Sequence, residues 1–207
     1  MTNNNTKKKI EETYTFTYND KFDFEDIESR RVYINCDINE IILDTAVYHI
    51  LRYNRLDKDI PIEDRKPIIL YINTPGGVVT DGYALIDTIR NSKTPVYTVN
   101  LGTCYSMGFL IFIAGKKRYS MPSATFLCHD GFAGAIDSMN KLRDRVEFET
   151  GEMCEYTKKY VLEQTKIDSE TYDSNERREW YFYPDVAKEL GVVTHIIGKD
   201  CDIDEVL

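Results

Sequence analysis

Three short stretches hold the residues that could do chemistry together: Pro75-Gly76-Gly77 at the end of an apolar run, Ser106-Met107-Gly108, and His129. Glycine tolerates positive φ and lets a ligand approach the backbone, so Gly76-Gly77 can present bare N–H groups. An isolated Pro-Gly-Gly is also an ordinary tight turn; beside a reactive group it reads as one side of an oxyanion hole. Ser106 opens a predicted helix. Its hydroxyl can cap that helix by bonding a free N–H of the first turn. The same position exposes an oxygen at the positive end of the helix dipole, where developing negative charge is favoured. Met107 would supply the neighbouring N–H. His129 ends a predicted strand and is the best candidate base for the serine. His49 sits in an amphipathic helix as a surface or boundary residue, and His195, after the apolar pair Val192-Val193, is a core-edge or surface residue. The chemistry is acyl transfer, which needs neither a metal nor an organic cofactor.

These groups must be carried by elements, and the hydrophobic periodicity supplies them. Arg31–Asn35 reads as the first buried strand, and Ile41–Asn54 has a helical period. Pro67–Asn73 is a continuous apolar run, the pattern of a strand covered on both faces. A helix over Thr80–Asn91 follows, then a strand over Val96–Leu101 that ends at Gly102. A helix is predicted over Met107–Ala114, with strands at Lys117–Tyr119 and Ala124–Cys128. Ser138–Thr165 is one long charged helix. Asp185–Leu190 is the last helix and Val192–Ile197 the last strand. Asp57–Lys66 is a charged loop. Strand-then-helix alternation favours parallel pairing through crossovers. Residues 1–30 are polar, with alternating Tyr14, Phe16 and Tyr18, and are expected to form an arm that is flexible or lines a pore; 31–207 are expected to form the catalytic domain.

The bulk numbers exclude several classes. The 207 residues suffice for one domain with a sizeable core. A net charge of −9, with scattered basic residues, argues against nucleic-acid or anionic-membrane binding. No secretory leader is expected in the polar start, and no apolar run is long enough to span a bilayer. The five cysteines have no C-x-x-C spacing, so reduced thiols in a cytoplasmic protein are expected, without a zinc site.

Four blocks and the tail together resemble the proteolytic subunit of the Clp protease, a self-compartmentalised serine peptidase. Arg31–Asn35 is similar to that family's opening strand. Leu70–Gly77 (LYINTPGG) resembles its Y-I-N-S-P-G-G string, with Thr74 for serine. Gly102–Gly115 (GTCYSMGFLIFIAG) resembles its G-x-A-A-S-M-G-x-x-L-x-x-A-G block. Phe126–His129 resembles its strand ending in histidine, and Ala187–Ile197 its final A-x-x-Y-G-L-x-D-x-I segment. The resemblance implies an α/β fold, a ClpP/crotonase-like spiral of repeated β-β-α units with a protruding helix–strand handle.

Carried over residue by residue, it implies Ser106 as nucleophile, His129 as base, and the Gly77 and Met107 N–H groups as oxyanion donors. Glu179 falls where the family carries the aspartate of an Arg-Asp pair; Asp173 and Asp168 are alternatives, and a salt bridge is the structural alternative for Glu179. Val78-Val79 and the segment after His129 match strands that flank an extended peptide, bound by strand addition. The implied partners are peptides and unfolded proteins, copies of the chain in stacked heptamers (a tetradecamer), and a separate AAA+ ATPase. Tyr71, Val99, Leu101, Tyr119 and Met121 resemble the apolar pocket that grips that ATPase, whereas Asn91 stands where an aromatic is usual. Asp130-Gly131 replaces Gln-Pro after the histidine. Two other readings compete: a weak or inactive structural ring subunit, and a crotonase-like acyl-CoA enzyme. A Ser–Lys peptidase would have to use Lys116 or Lys117, across a helix from Ser106.

Overall fold

The apolar run Ile68–Thr74 becomes β2, inside a seven-stranded sheet. The computed structural model describes residues 25–131, 136, 138–175 and 177–207. β1 (Arg31–Ile34), β2, β3 (Val96–Tyr105), β4 (Lys117–Ser120) and β7 (His195–Ile196) lie side by side in that order, all parallel. The sheet divides along β3. Tyr97–Asn100 pair with β4, and Thr103–Tyr105 pair with β5 (Thr125–Cys128), also parallel. β6 (Trp180–Phe182) then adds to β5 antiparallel.

Helices supply the crossovers that parallel strands require. A π-helical turn, Leu43–Val47, runs into α1 (Tyr48–Leu56). α2 (Val79–Asn91) joins β2 to β3, and α3 (Met107–Ile113) joins β3 to β4. α4 (Met139–Phe148), a π-helical turn (Glu149–Met153) and α5 (Cys154–Gln164) make the long predicted helix. α6 (Ser169–Asn175) and α7 (Pro184–Glu189) flank β6.

β2 is covered on both faces, as its unbroken apolar run predicts. Alternate residues point to opposite sides. Ile68, Leu70 and Ile72 enter the main core with Leu85, Phe109 and Phe112, while Ile69 and Tyr71 enter a second cluster with Val99, Tyr119, Ile197 and Val206. The second cluster is closed by a C-terminal 3₁₀ turn, Ile203–Val206. The Tyr71 hydroxyl donates to the Val206 carbonyl, and the Tyr119 hydroxyl donates to Glu205 Oε2. Burial then pushes the Tyr119 phenol upward.

Several expectations are corrected. β3 does not end at Gly102 but continues to Tyr105, because Thr74 and β5 both offer partners to its last residues. Tyr71, Val99 and Tyr119 are core residues under the C-terminal turn rather than an open pocket; Leu101 is exposed and Met121 half-buried. Asn91 lies apart from them, at the end of α2, in a groove with Leu51, Asn54 and Lys93. Val79 opens α2, so Val78-Val79 is not a strand. α6 and the antiparallel β6 have no counterpart in the periodicity reading. The Tyr14, Phe16 and Tyr18 arm lies outside the described residues. So does most of the segment after His129 expected to flank a peptide: of 132–137 only 136 is described. Among the described residues no helix is long and apolar enough to cross a membrane.

Candidate active site

Ser106 sits at the junction of β3 and α3 with φ 54° and ψ −120°. Positive φ in a residue other than glycine is uncommon and costs on the order of 1–3 kcal/mol. The surroundings hold it there. Its N–H donates to the Leu127 carbonyl at 3.0 Å, and its own carbonyl accepts from Phe109 N–H (3.0 Å) and Leu110 N–H (3.3 Å). Its hydroxyl makes no capping bond to α3. The capping role is therefore absent, and the oxygen is held out on a sharp strand-to-helix elbow.

Space for that elbow comes from a distant strand. Gly76 has φ 106°, and a Cβ there would stand 2.7 Å from Ser106 Cβ, 2.8 Å from the Tyr105 carbonyl and 3.2 Å from the Met107 nitrogen. The Pro-Gly-Gly turn thus lies directly against the elbow. Thr74 fixes the turn: its hydroxyl donates to the Cys36 carbonyl at 2.7 Å and accepts from Gly76 N–H at 3.2 Å. Threonine keeps what a serine hydroxyl would do here. Gly77 is held by a bridge to Ile38, with Ile38 N–H to Gly76 O at 2.8 Å and Val78 N–H to Ile38 O at 2.7 Å. Those bonds leave the Gly77 N–H unused. Met107 is the first residue of α3, so its N–H lacks an intrahelical partner. Its side chain is buried against Gly82 of α2, which fixes the direction of that N–H.

His129 follows the last residue of β5, and Glu179 precedes the first residue of β6. The antiparallel register pairs Cys128 with Trp180 and Leu127 with Tyr181, so one further step puts His129 opposite Glu179. Glu179 Oε1 lies 3.2 Å from His129 Nδ1. A carboxylate only accepts, so Nδ1 carries the proton in this contact, and in the neutral ring the lone pair is on Nε2. His129 Nε2 is buried and has no hydrogen-bond partner among the described residues, so no bond joins it to Ser106 Oγ in the single chain. The other Glu179 oxygen accepts from the Tyr181 hydroxyl at 3.0 Å. That bond raises the Tyr181 phenol above its ordinary value.

The fallback acids are engaged elsewhere. Asp173 pairs with Lys158 at 2.6 Å, and Asp168 accepts from Thr171 N–H at the start of α6; each carboxyl is held below its ordinary value by those bonds. His49 stacks on Tyr53 and His195 on Tyr119. The Lys117 ammonium lies over the Tyr97 ring on the β4 side of β3. Among the described residues no three His, Cys, Asp or Glu side chains gather as a metal site. Sequence reasoning missed Tyr181; its signal was the i, i+2 spacing from Glu179, which puts both on one face of a strand.

The crossover sheet, the serine elbow and the imidazole–carboxylate pair define a class, and sequence comparison gives it a family. The chain belongs to the Clp protease family, whose model matches residues 24–200. It is 26% identical over 182 residues to the ATP-dependent Clp protease proteolytic subunit 2 of Treponema pallidum (strain Nichols), covering 86% of each chain. It is similar in fold to a solved ClpP1 mutant from Listeria monocytogenes, with a TM-score of 0.75, 24% identity, and coverage of 90% of this chain and 99% of that one.

Proposed function

We propose that this chain is a Clp-type serine endopeptidase that cleaves peptides and unfolded proteins. Ser106 attacks the peptide carbonyl while His129 Nε2 takes its proton. Glu179 holds the imidazole tautomer and stabilises the imidazolium that forms. The Gly77 and Met107 N–H groups receive the oxyanion. His129 returns the proton to the leaving amine, then activates water to release the acyl-enzyme. The observation that carries this reading is the 3.2 Å Nδ1–carboxylate contact, which leaves Nε2 as the buried, unpartnered acceptor that a general base requires. Residues 31–207 form the peptidase domain in this reading, and 1–30 an arm.

The reading extends to assembly. α4 buries none of its residues and exposes Met139, Val146 and Phe148, apolar surface suited to ring-to-ring contact between copies. The chain works as a tetradecamer of stacked heptamers in the cytoplasm, fed by a separate AAA+ ATPase. The competing reading is an inactive structural ring subunit. Catalytic hydrogen bonds in a site without substrate are often long and tighten when substrate binds, as the peptidase reading requires of His129 Nε2 and Ser106 Oγ.

A fluorogenic peptide and a fluorophosphonate probe do decide. Ser106→Ala should abolish labelling and lower turnover by roughly 10⁴- to 10⁶-fold, while native mass stays unchanged. A folded, assembled wild-type protein that never labels would establish the inactive reading. Full turnover by Ser106→Ala would place the nucleophile elsewhere.

A further inference from the structure

We propose that Tyr181 is a positioning residue for the catalytic carboxylate, an inference that rests on the peptidase reading above. Glu179 is one methylene longer than aspartate and has an extra rotatable bond. Its side chain is 60% exposed. A glutamate this free in solvent samples many rotamers, and ordering it carries an entropic cost. One contact to His129 leaves the second oxygen free to swing. The Tyr181 hydroxyl closes that freedom by donating to Glu179 Oε2 at 3.0 Å, while Oε1 faces the imidazole at 3.2 Å. The carboxylate is thus held at both oxygens.

The tyrosine is itself fixed. Its ring meets Tyr105 edge-on, with centroids 5.5 Å apart and planes at 82°. The Tyr105 hydroxyl is bonded to Thr125 Oγ1 on β5 at 2.8 Å. Tyr105 immediately precedes Ser106. One chain of contacts therefore runs from the residue before the nucleophile, through Tyr181, to the carboxylate that orients the base. Each link spans a different element: β3, β6 and the turn entering β6. Tyr181 adjusts the site for a glutamate by setting where the longer side chain stops.

The test uses the assembled protein, a fluorogenic peptide and a double-mutant cycle. Tyr181→Phe keeps the ring against Tyr105 and removes only the hydroxyl. It should lower kcat about 3- to 5-fold, the scale of one exposed charge-assisted bond, with KM and melting temperature unchanged. On a Glu179→Ala background the same substitution should cause no further loss, since the side chain that the hydroxyl bonds is gone. Unchanged kcat in Tyr181→Phe overturns the proposal. An equal loss on both backgrounds also overturns it, because the hydroxyl would then act on something other than Glu179. Ser106→Ala run in parallel separates the two levels: if that variant keeps activity the peptidase site is misplaced, and if it is inactive the cycle speaks to Tyr181 alone.

Discussion

Replacing Gly76 by alanine should damage the site more than any surface substitution, and the cost can be worked out from two independent terms. The first is conformational. Gly76 has φ 106°, where an L side chain is strained by about 1–2 kcal/mol. The second is steric. The new methyl would stand 2.7 Å from Ser106 Cβ and 2.8 Å from the Tyr105 carbonyl, well inside the ordinary contact distance. Neither neighbour is the far end of a flexible chain, so the elbow itself must move, an overpacking cost of about 1–3 kcal/mol. The sum is about 2–5 kcal/mol, equivalent to a fall of about 5–15 °C in melting temperature for a chain of this size. Displacing Ser106 by about 1 Å should lower kcat/KM by about 100-fold. Gly198 is the control: φ is 79° there and nothing lies within 4 Å of an added Cβ. Gly198→Ala should show the conformational term only, about 1–2 kcal/mol, with turnover preserved. Scanning fluorimetry and peptide cleavage read both variants. Wild-type turnover in Gly76→Ala, or equal loss of stability in the two variants, would refute the packing of turn against elbow.

Two further predictions concern the frame. Arg118 donates to the carbonyls of Ile113 (3.1 Å), Gln164 (2.8 Å) and Gly191 (2.8 Å), gathering the chain ends that follow α3, α5 and α7. Arg118→Met should cost about 3 kcal/mol by leaving those acceptors without their charged donor, read as a lower urea midpoint. Buried Asp57 receives two 2.6 Å bonds from Arg30 and one 2.8 Å bond from the Thr94 hydroxyl. The Arg30 bonds, then Thr94, hold its carboxyl below the ordinary range. Its stabilisation is therefore present above the unfolded carboxylate value, about pH 4, and is lost as pH falls through the lower folded value. Asp57→Asn should cost about 3 kcal/mol at neutral pH, with the difference from wild type shrinking under acid. A pH-independent difference would contradict that assignment.

The strands, the crossover helices and the position of Ser106 were legible in the sequence because each rests on local pattern. The short apolar run in 67–73 fits a strand covered on both faces, and a helix-opening serine is visible from the residues after it. What the local pattern missed was decided by long-range pairing. β3 carries on past Gly102 because strands from elsewhere continue to pair with it. Three residues at 180–182 are too few to show a period, so β6 exists only through its bonds to β5. The family resemblance set Tyr71, Val99 and Tyr119 at a surface pocket, and within the chain it is the C-terminal turn, far along the sequence, that covers them.

The candidate site divides along the same line. Residue types and spacing by themselves determined that a serine, a histidine and a glycine turn could cooperate, and a motif resemblance extended this to Glu179. Only the tertiary structure decided the rest. The φ of 54° at Ser106 depends on Gly76, thirty positions earlier, because the elbow needs room that its own strand does not have. The contact of His129 with Glu179, and not with Asp168 or Asp173, depends on the antiparallel register between β5 and β6, which sets 129 opposite 179. The Tyr181 hydroxyl reaches the second Glu179 oxygen for a related reason: two residues along an extended backbone return a side chain to the same face.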